Sequence, residues 1–248
     1  MGQEVQVVQH SGKGEAVSVG GNVSGFNRSS PVLSKQSLYS DVGVLDPIEL
    51  LLEPSAEKSR LNDIFIRALD ITGAFLMFLL TAPIMAVCVI LIKLTSRGPV
   101  FYKQKRVGKS GRIFTLYKFR TMVDNAEKDT GPVLAARDDG RVTSVGRVLR
   151  CSRLDELPQL FNVLQGDMSL VGPRPERPFF VSQHTALRGV RLAVKPGITG
   201  LAQIRAFYDL KPEHKLKYDN LYIQNRSLFL NIYILLQTIP VVFLKKGW

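Results

Sequence analysis

Residues Arg150–Arg177 read RCSRLDELPQLFNVLQGDMSLVGPRPER, and this stretch carries two adjacent carboxylates, Asp155 and Glu156. Apolar residues recur in it with the 3.6-residue period of one helix face, at Leu157, Leu160, Phe161 and Leu164. With Asp155 as the N-cap, Pro158 falls in the first turn, where its missing N–H loses no helical bond. Gly166 is well placed to end the helix in a left-handed conformation. The stretch therefore predicts a short helix with an acidic pair at its start.

The acidic pair fits two different roles. An acid at a helix start is favoured by the free N–H groups and the helix dipole, both of which lower its pKa, and the same geometry attracts phosphate. Arginines stand on either side of the pair, namely Arg150, Arg153, Arg174 and Arg177. The pair could therefore serve a phosphate site, with a divalent ion on Glu156 and Asp155 aimed at phosphorus. Equally, Asp155 is explained as a plain N-cap and Glu156 as a first-turn acid.

Two motifs resemble those of the bacterial sugar transferases, also called monotopic polyprenyl-phosphate phosphoglycosyl transferases. They are LDELPQLFNVLQGDMSLVGPRP (residues 154–175) and, before it, GPVFYKQKRVGKSGRIFTLYKFRTM (residues 98–122). The resemblance runs from about Leu61 to the C-terminus and extends to the short rhizobial exopolysaccharide-initiating members. Enzymes of this family start surface polysaccharides by moving a sugar 1-phosphate from a nucleotide sugar to a polyprenyl phosphate. The resemblance therefore implies a phosphoglycosyl transferase.

The resemblance also implies a role for each residue around the pair. Asp155 attacks the sugar-bearing phosphorus of a UDP-sugar, releases UMP and forms an aspartyl phosphosugar, which polyprenyl phosphate then takes up. Glu156 ligates Mg²⁺, the implied cofactor. Asp167 is a second metal ligand or an orienting group, although a turn residue with an Asx-type bond explains it equally well. Arg150 and Arg174 clamp phosphates, because a planar guanidinium suits bidentate phosphate binding.

A basic surface without acids precedes the acidic helix. Its members are Lys103, Lys105, Arg106, Lys109, Arg112, Lys118 and Arg120. A solvated or headgroup-facing surface explains most of them. Lys118 and Arg120 fall in the KFRTM segment that the resembled family keeps near its active site, so both are candidate ligands of substrate phosphate. The surrounding VFYKQKR and RIFTLYKFR alternate apolar and polar residues around VGKSG, which predicts a β-hairpin.

The segment KPGITGLAQIRA, Lys195–Ala206, resembles a family segment associated with the nucleotide-sugar site. Gln203 and Arg205 are its candidate ligands, and Arg177 is assigned to the same site. The chain departs from the family at Ala202, since an aromatic residue usually precedes the glutamine. Nucleotide-sugar binding by this loop is therefore an expectation from the resemblance.

The longest apolar run, Ile71–Ile92, would extend about 33 Å as a helix, which is enough for a bilayer core of about 30 Å. A straight transmembrane helix is one interpretation. Pro83 removes a helical hydrogen bond in mid-run, and both flanks are basic, which favours a re-entrant helix. In the resembled family this helix is broken at a Ser-Pro pair. Here the membrane break falls at Ala82 and Pro83, with Thr81 as the nearby hydroxyl.

The C-terminal segment Leu228–Leu244 is apolar but interrupted by polar residues and by Pro240. Lys245, Lys246 and Trp248 follow it. Basic and Trp anchors are typical of a helix that lies in the membrane interface. A helix docked against the protein core is the alternative.

Chain length and net charge limit the kind of fold and the kind of partner that the sequence allows. With 248 residues and a net charge of +12, the chain is long enough for one domain with a sizeable core and favours an anionic partner. Residues 1–57 are predicted to be a flexible N-terminal extension, and residues 58–248 a membrane-associated catalytic domain. The predicted fold class is α+β and mostly helical. It combines a membrane-embedded re-entrant helix, interfacial helices and a small β-hairpin around a cytosolic catalytic core.

The resemblance implies four kinds of partner: a UDP-sugar donor, a polyprenyl (undecaprenyl) phosphate acceptor, membrane lipids and downstream glycosyltransferases. A homodimer is left open. The expected location is the cytoplasmic (inner) membrane, with the catalytic face in the cytoplasm. Nucleic acid is not an expected partner, because basic side chains beside an apolar run suit a membrane surface better. Two other classes remain as alternatives: a membrane-anchored binding or regulatory protein, and a basic nucleic-acid-binding protein with steep salt dependence.

Overall fold

The computed structural model describes residues 60–128, 131, 133, 139–205 and 212–243. The predicted extension, its boundary at residue 57, and the anchors Lys245, Lys246 and Trp248 lie outside the described residues. The helices are α1 (Arg60–Thr95), α2 (Ser144–Cys151), α3 (Gln159–Gln165), α4 (Pro178–Gln183), α5 (Leu201–Arg205), α6 (Pro212–Asn225) and α7 (Leu228–Phe243). The strands are β1 (Phe101–Val107), β2 (Ile113–Phe119), β3 (Ser169–Val171) and β4 (Gly197–Thr199). The described part of the chain is thus mostly helical, as predicted, and adds to the predicted hairpin a second small sheet, in which β3 and β4 pair in parallel.

The predicted β-hairpin is confirmed. Strands β1 and β2 pair in antiparallel register from Phe101 opposite Phe119 to Val107 opposite Ile113. A short 3₁₀ turn joins them, and Gly111 adopts a positive φ of 78° there, a conformation that glycine reaches without strain. Because side chains alternate along a strand, one face of the hairpin can be buried while the other stays polar.

Helix α1 is long and apolar enough to cross a membrane by length and composition. The helix continues through Ala82 and Pro83. The Thr81 hydroxyl donates to the carbonyl of Met77 at 2.7 Å, one turn before it, rather than to the carbonyl that Pro83 leaves without its donor. Large apolar side chains along the helix are exposed, including those of Leu76, Leu79, Leu80 and Leu94. The re-entrant path stays a prediction.

The main hydrophobic core lies between α1, α3, β3 and α7. Leu160 and Val163 of α3 pack there with Leu230 and Ile234 of α7, all four buried. Burial of such side chains contributes about 1.5–3 kcal/mol each. The opposite face of α7 is also apolar and exposed, with Phe229 among its members. Docking against the core is therefore shown for α7, and placement of its outer face at a membrane interface stays a prediction.

Candidate active site

The acidic pair lies in a 3₁₀ turn, Leu154–Glu156, between α2 and α3. Arg153 enters this turn with a left-handed φ of 57°. The side chains point inward, and the residues are only 7% (Asp155) and 8% (Glu156) exposed. Two buried carboxylates on adjacent residues need compensating charge, since an isolated buried charge is strongly unfavourable.

The prediction that Asp155 is the N-cap of the helix was wrong. Helix α3 begins at Gln159, and Pro158 occupies its N-cap position without any side-chain cap. An N-cap carboxylate accepts from the N–H two or three residues on. For Asp155 the third residue is Pro158, which has no N–H, and the second, Leu157, donates to the carbonyl of Leu154. The other end is as predicted, because Gly166 closes α3 with a φ of 91°.

Cations brought by distant elements compensate Glu156 more fully than Asp155. Strand β2 supplies Lys118, whose Nζ lies 2.8 Å from Oε1 of Glu156 and 3.7 Å from Oδ2 of Asp155. The loop after β3 supplies Arg174, whose Nη2 donates to the same Glu156 oxygen at 2.6 Å. Within the described ranges, Glu156 therefore forms two short ion pairs, whereas the ion-pair contact of Asp155 with Lys118 is longer.

This difference separates the two pKa values. Burial raises the pKa of Asp155, and the neighbouring charge of Glu156 raises it further, against the opposing effect of Lys118. Burial alone would also raise the pKa of Glu156, but Arg174 and Lys118 outweigh it and hold that pKa well below its ordinary value. Glu156 is thus the fixed anion of the pair. Asp155 is the more basic and less restrained carboxylate.

The side chains of Arg150 and Arg120 have different hydrogen-bond partners. Arg150 of α2 donates from Nε to the Thr121 hydroxyl at 2.8 Å, and its charge acts on Asp155. Arg120, also predicted as a phosphate ligand, is buried and donates from Nη2 to the carbonyl and hydroxyl of Ser96, at the end of α1. The structure therefore brings Lys118, Arg150 and Arg174 toward the pair and ties Arg120 to Ser96, which follows the long apolar helix α1.

The candidate nucleotide-sugar residues occupy two separate places. Arg177 forms a bidentate ion pair with Glu127, at 2.9 and 2.6 Å. Gln203 and Arg205 lie on α5. Within the described part of the chain, the side-chain amide of Gln203 is buried and neither its nitrogen nor its oxygen has a hydrogen-bond partner. An unsatisfied buried amide is costly, so a ligand that completes its hydrogen bonds would bind there favourably.

Asp167 lies away from the acidic pair. It follows Gly166, and its backbone N–H donates to the carbonyl of Asn162 at 3.0 Å. The seven residues of α3 separate the two ends by about 10 Å. Burial lowers the pKa of Lys195, and the charge of Asp167 partly opposes that shift. Asp167 and Glu156 therefore lie beyond opposite ends of α3, which argues against a shared metal site, and the role of Asp167 stays a prediction.

A magnesium site is compatible with the pair only when substrate supplies further ligands. The described residues contain no group of three or more His, Cys, Asp and Glu side chains able to hold a metal ion. Mg²⁺ commonly keeps several waters and binds one or two carboxylates together with substrate phosphates. Asp155 and Glu156 supply that number of carboxylates. The donor set therefore fits a magnesium–diphosphate complex rather than a free ion.

Sequence reasoning missed the residues that hold the site in place. Arg191 pairs with Asp219, and both are buried. Arg67 of α1 donates to the last carbonyls of α3. Arg67 belongs to the basic flank of the apolar run and Arg191 falls in no motif, so no local signal marks either of them as a residue that holds the site. Only their distant partners give them a role.

Comparison with known proteins matches this arrangement to one family. The sequence model of the bacterial sugar transferases matches residues 61–245. A UDP-N-acetylgalactosamine-undecaprenyl-phosphate N-acetylgalactosaminephosphotransferase of Aeromonas hydrophila is 45% identical over 187 residues, which are 73% of this chain and 44% of that protein. The exopolysaccharide production protein ExoY of Rhizobium meliloti is 36% identical over 195 residues, covering 73% of this chain and 86% of ExoY.

A third relative, the UDP-glucose:undecaprenyl-phosphate glucose-1-phosphate transferase of Klebsiella pneumoniae, is 42% identical over 195 residues. The matched region spans 75% of this chain and 42% of that protein, so the chain covers less than half the length of the Aeromonas and Klebsiella relatives. The resemblance predicted from the sequence, including its rhizobial branch, is confirmed. This chain belongs to the bacterial sugar transferase family.

Proposed function

We propose that this protein transfers a sugar 1-phosphate from a UDP-sugar to undecaprenyl phosphate and releases UMP. The observation that carries the proposal is the unequal pairing of the two carboxylates. Among the described residues, Glu156 is held by short ion pairs with Lys118 and Arg174, whereas Asp155 keeps a raised pKa and a longer contact with Lys118. The names of the Aeromonas and Klebsiella relatives, both of which include undecaprenyl phosphate, support the same reaction.

The first step forms a covalent adduct on Asp155. One of its carboxylate oxygens attacks the sugar-bearing phosphorus, and the bond from that phosphorus to the bridging oxygen of the diphosphate breaks. The bridging oxygen leaves with the electron pair as part of UMP. Asp155 suits this role because a more basic and less strongly paired carboxylate is the better nucleophile. Arg150 and Arg174 would clamp the phosphate oxygens.

The second step returns the enzyme to its starting state. A phosphate oxygen of undecaprenyl phosphate attacks the same phosphorus, and the bond to Asp155 breaks, which restores the carboxylate. The product is undecaprenyl-diphospho-sugar. Two steps at one carboxylate allow a water-soluble donor and a lipid acceptor to use the site in turn. Later glycosyltransferases of exopolysaccharide or another surface glycan would consume this product.

Glu156 is the residue that would hold Mg²⁺ together with the donor diphosphate, while Asp155 stays available for attack. The ion, when bound, would neutralise charge that develops on the phosphate oxygens. Lys118 and Arg174 keep the Glu156 carboxylate fixed before substrate arrives. Gln203, Arg205 and Arg177 are proposed to contact the nucleotide sugar, and the unpartnered amide of Gln203 supports that assignment.

The apolar surface of α1 and the outer face of α7 support a membrane location. Both helices carry many exposed apolar side chains, and such a surface favours contact with lipid. We assign the catalytic face to the cytoplasmic side of the inner membrane, where nucleotide sugars are available. The re-entrant course of α1, broken at Ala82 and Pro83, is part of this proposal, because it would hold the acidic pair at the level of the lipid headgroups.

Release of UMP from a panel of UDP-sugars tests the proposal. Detergent-solubilised protein is assayed with and without undecaprenyl phosphate and Mg²⁺, beside Asp155→Asn and the control Asp63→Asn, which changes an exposed acid on α1. We expect lipid-dependent release with at least one sugar, loss of release in Asp155→Asn, and little change in the control. Appreciable turnover by Asp155→Asn would exclude the covalent route. Absence of release with every nucleotide sugar would favour a binding protein instead.

A further inference from the structure

The loop that carries Arg174 is held by its backbone at four successive residues. The carbonyls of Pro173, Arg174, Pro175 and Glu176 each accept one hydrogen bond, from four different donors. The backbone N–H of Gly197 donates to Pro173 at 3.0 Å, and that of Val107 donates to Glu176 at 3.0 Å. Two arginine side chains supply the donors in the middle.

Those two arginines come from different elements of the chain. Arg106 of β1 donates from Nη1 to the carbonyl of Pro175 at 2.9 Å. Arg191, in the 3₁₀ turn Gly189–Ala193, donates from Nη2 to the carbonyl of Arg174 at 2.7 Å. Arg191 therefore bonds the backbone of the very residue whose side chain bonds Glu156 at 2.6 Å.

Arg191 is itself fixed by a buried acid. Its Nε donates to Oδ2 of Asp219 on α6 at 2.5 Å, and the two residues are 4% (Arg191) and 2% (Asp219) exposed. The guanidinium thus donates to two acceptors at once: Nε to the carboxylate of Asp219, and Nη2 to the backbone carbonyl of Arg174. A lysine ammonium is a point charge and lacks this planar fork, so it cannot reproduce both bonds in one geometry.

These contacts form one chain from α6 to the acidic pair: Asp219, Arg191, Arg174 and Glu156. Prolines on both sides of Arg174 restrict its backbone. Once Arg191 holds the carbonyl between them, little freedom remains for the loop. The backbone position from which the Arg174 side chain extends is then defined.

We propose that Arg191 and Asp219 are positioning residues that set Arg174 for the phosphate groups of the substrate. This inference rests on the proposed phosphoryl transfer. Neither residue touches the acidic pair, and both act through the backbone of Arg174. A displacement of about 1 Å at a substrate-positioning group can lower a rate by about 100-fold. A buried ion pair that served stability alone would not show this dependence on Arg174.

A double-mutant cycle between Arg191→Lys and Arg174→Lys tests the inference. The readouts are kcat and KM for UMP release by the full chain in detergent, and the midpoint of thermal unfolding. We expect Arg191→Lys to lower kcat/KM by about 10- to 100-fold. In the Arg174→Lys background, the same change should lower it by less than about 3-fold, because the group it positions is already altered.

Asp219→Asn is the second variant, since it keeps an oxygen for Nε and retains the side-chain shape. It should give a smaller loss with the same dependence on Arg174. Arg188→Lys is the matched control, an exposed arginine of the same region that bonds the carbonyls of Val181 and Ser182. It should leave kcat/KM within about 2-fold of the wild type.

The outcomes separate the inference from the proposed function. Equal losses from Arg191→Lys in both backgrounds, or wild-type kcat/KM in Arg191→Lys, would overturn the positioning role while the enzyme activity stands. A wild-type protein that releases no UMP from any donor would overturn both. Losses that depend on Arg174, with an unfolding midpoint close to the wild type in Arg191→Lys or Asp219→Asn, would establish the positioning role.

Discussion

Arg67 donates from Nη1 to the carbonyl of Val163 at 2.7 Å, which joins the long apolar helix α1 to the last turn of α3. Its Nη2 donates to the next carbonyl, that of Leu164, at 3.0 Å. One turn further along α1, Asp70 accepts from the Ser169 hydroxyl and the Leu170 N–H, both at 2.8 Å. The turn that leads from α3 into β3 is therefore held on both sides by α1. The long apolar helix α1 and helix α3, which follows the acidic pair, are therefore directly connected.

We expect Arg67→Ala to destabilise the protein and reduce its activity. The substitution leaves two C-terminal carbonyls of α3 without their charged donor, and hydrogen bonds from charged groups contribute about 1.5–3 kcal/mol each. A cation at a helix C-terminus also interacts favourably with the helix dipole. Thermal unfolding in detergent measures the loss, with Arg60→Ala, an exposed arginine at the start of the same helix, as the control. Equal unfolding midpoints in the two variants would contradict this role of Arg67.

Removal of the Lys118 charge should move the acid limb of the pH–rate profile to higher pH. Lys118 lowers the pKa of Asp155, and Lys118→Met would therefore let that already raised pKa rise further. Since attack needs the ionised carboxylate, kcat/KM for UMP release should begin to fall at a higher pH than in the wild type. Lys103→Met is the control, because Lys103 lies opposite Tyr117 on the hairpin rather than opposite the acidic pair. An unchanged acid limb in Lys118→Met would argue that Asp155 is not the group that titrates.

The pKa of Glu156 predicts how acid affects stability. Its folded-state pKa lies below the ordinary value, so its two ion pairs contribute stability at neutral pH that is lost as the pH falls through the folded-state pKa. In Glu156→Gln this part of the acid destabilisation should be absent. Urea unfolding of the wild type and the variant between neutral and acidic pH measures the difference. Parallel stability curves for the two proteins would show that Glu156 does not carry this dependence.

Asp167→Asn should leave the magnesium dependence of UMP release nearly unchanged. Asp167 lies beyond the C-terminal end of α3, whereas Glu156 precedes its start. The magnesium concentration for half-maximal release should therefore stay within about 2-fold of the wild type. In Glu156→Gln the same titration should require more magnesium or give little release. A large increase for Asp167→Asn would restore this residue as a metal ligand.

Gly146→Ala should disrupt the packing of α2 against the site. A Cβ at this position would lie 2.0 Å from the carbonyl oxygen of Thr121, the residue whose hydroxyl accepts from Arg150. Overpacking of this kind costs about 1–3 kcal/mol, or more where backbone must shift. Gly140→Ala is the matched control, because nothing lies within 4 Å of the added Cβ. Thermal unfolding and UMP release should both decline only in Gly146→Ala, and normal stability there would contradict the close contact.

The sequence by itself determined the features that depend on neighbouring residues. Strand alternation predicted the hairpin, the apolar run predicted a helix long enough for a membrane, and Gly166 predicted the end of α3. The acidic pair and several of its basic partners stand in recognisable motifs. Each of these signals lies within a short stretch of chain, where propensity and periodicity act.

Only the tertiary structure decided which carboxylate is held and which is left more basic. Lys118 and Arg174 are separated from Glu156 by 38 and 18 residues along the chain, and no local sequence pattern predicts these two contacts. The same holds for Arg191 and Asp219, which pair across 28 residues. A side chain is stabilised in a buried position by whichever opposite charge the fold places beside it. The residue types along the sequence therefore indicate the chemistry of the site. The different roles of Asp155 and Glu156 depend on contacts that form only when the chain has folded.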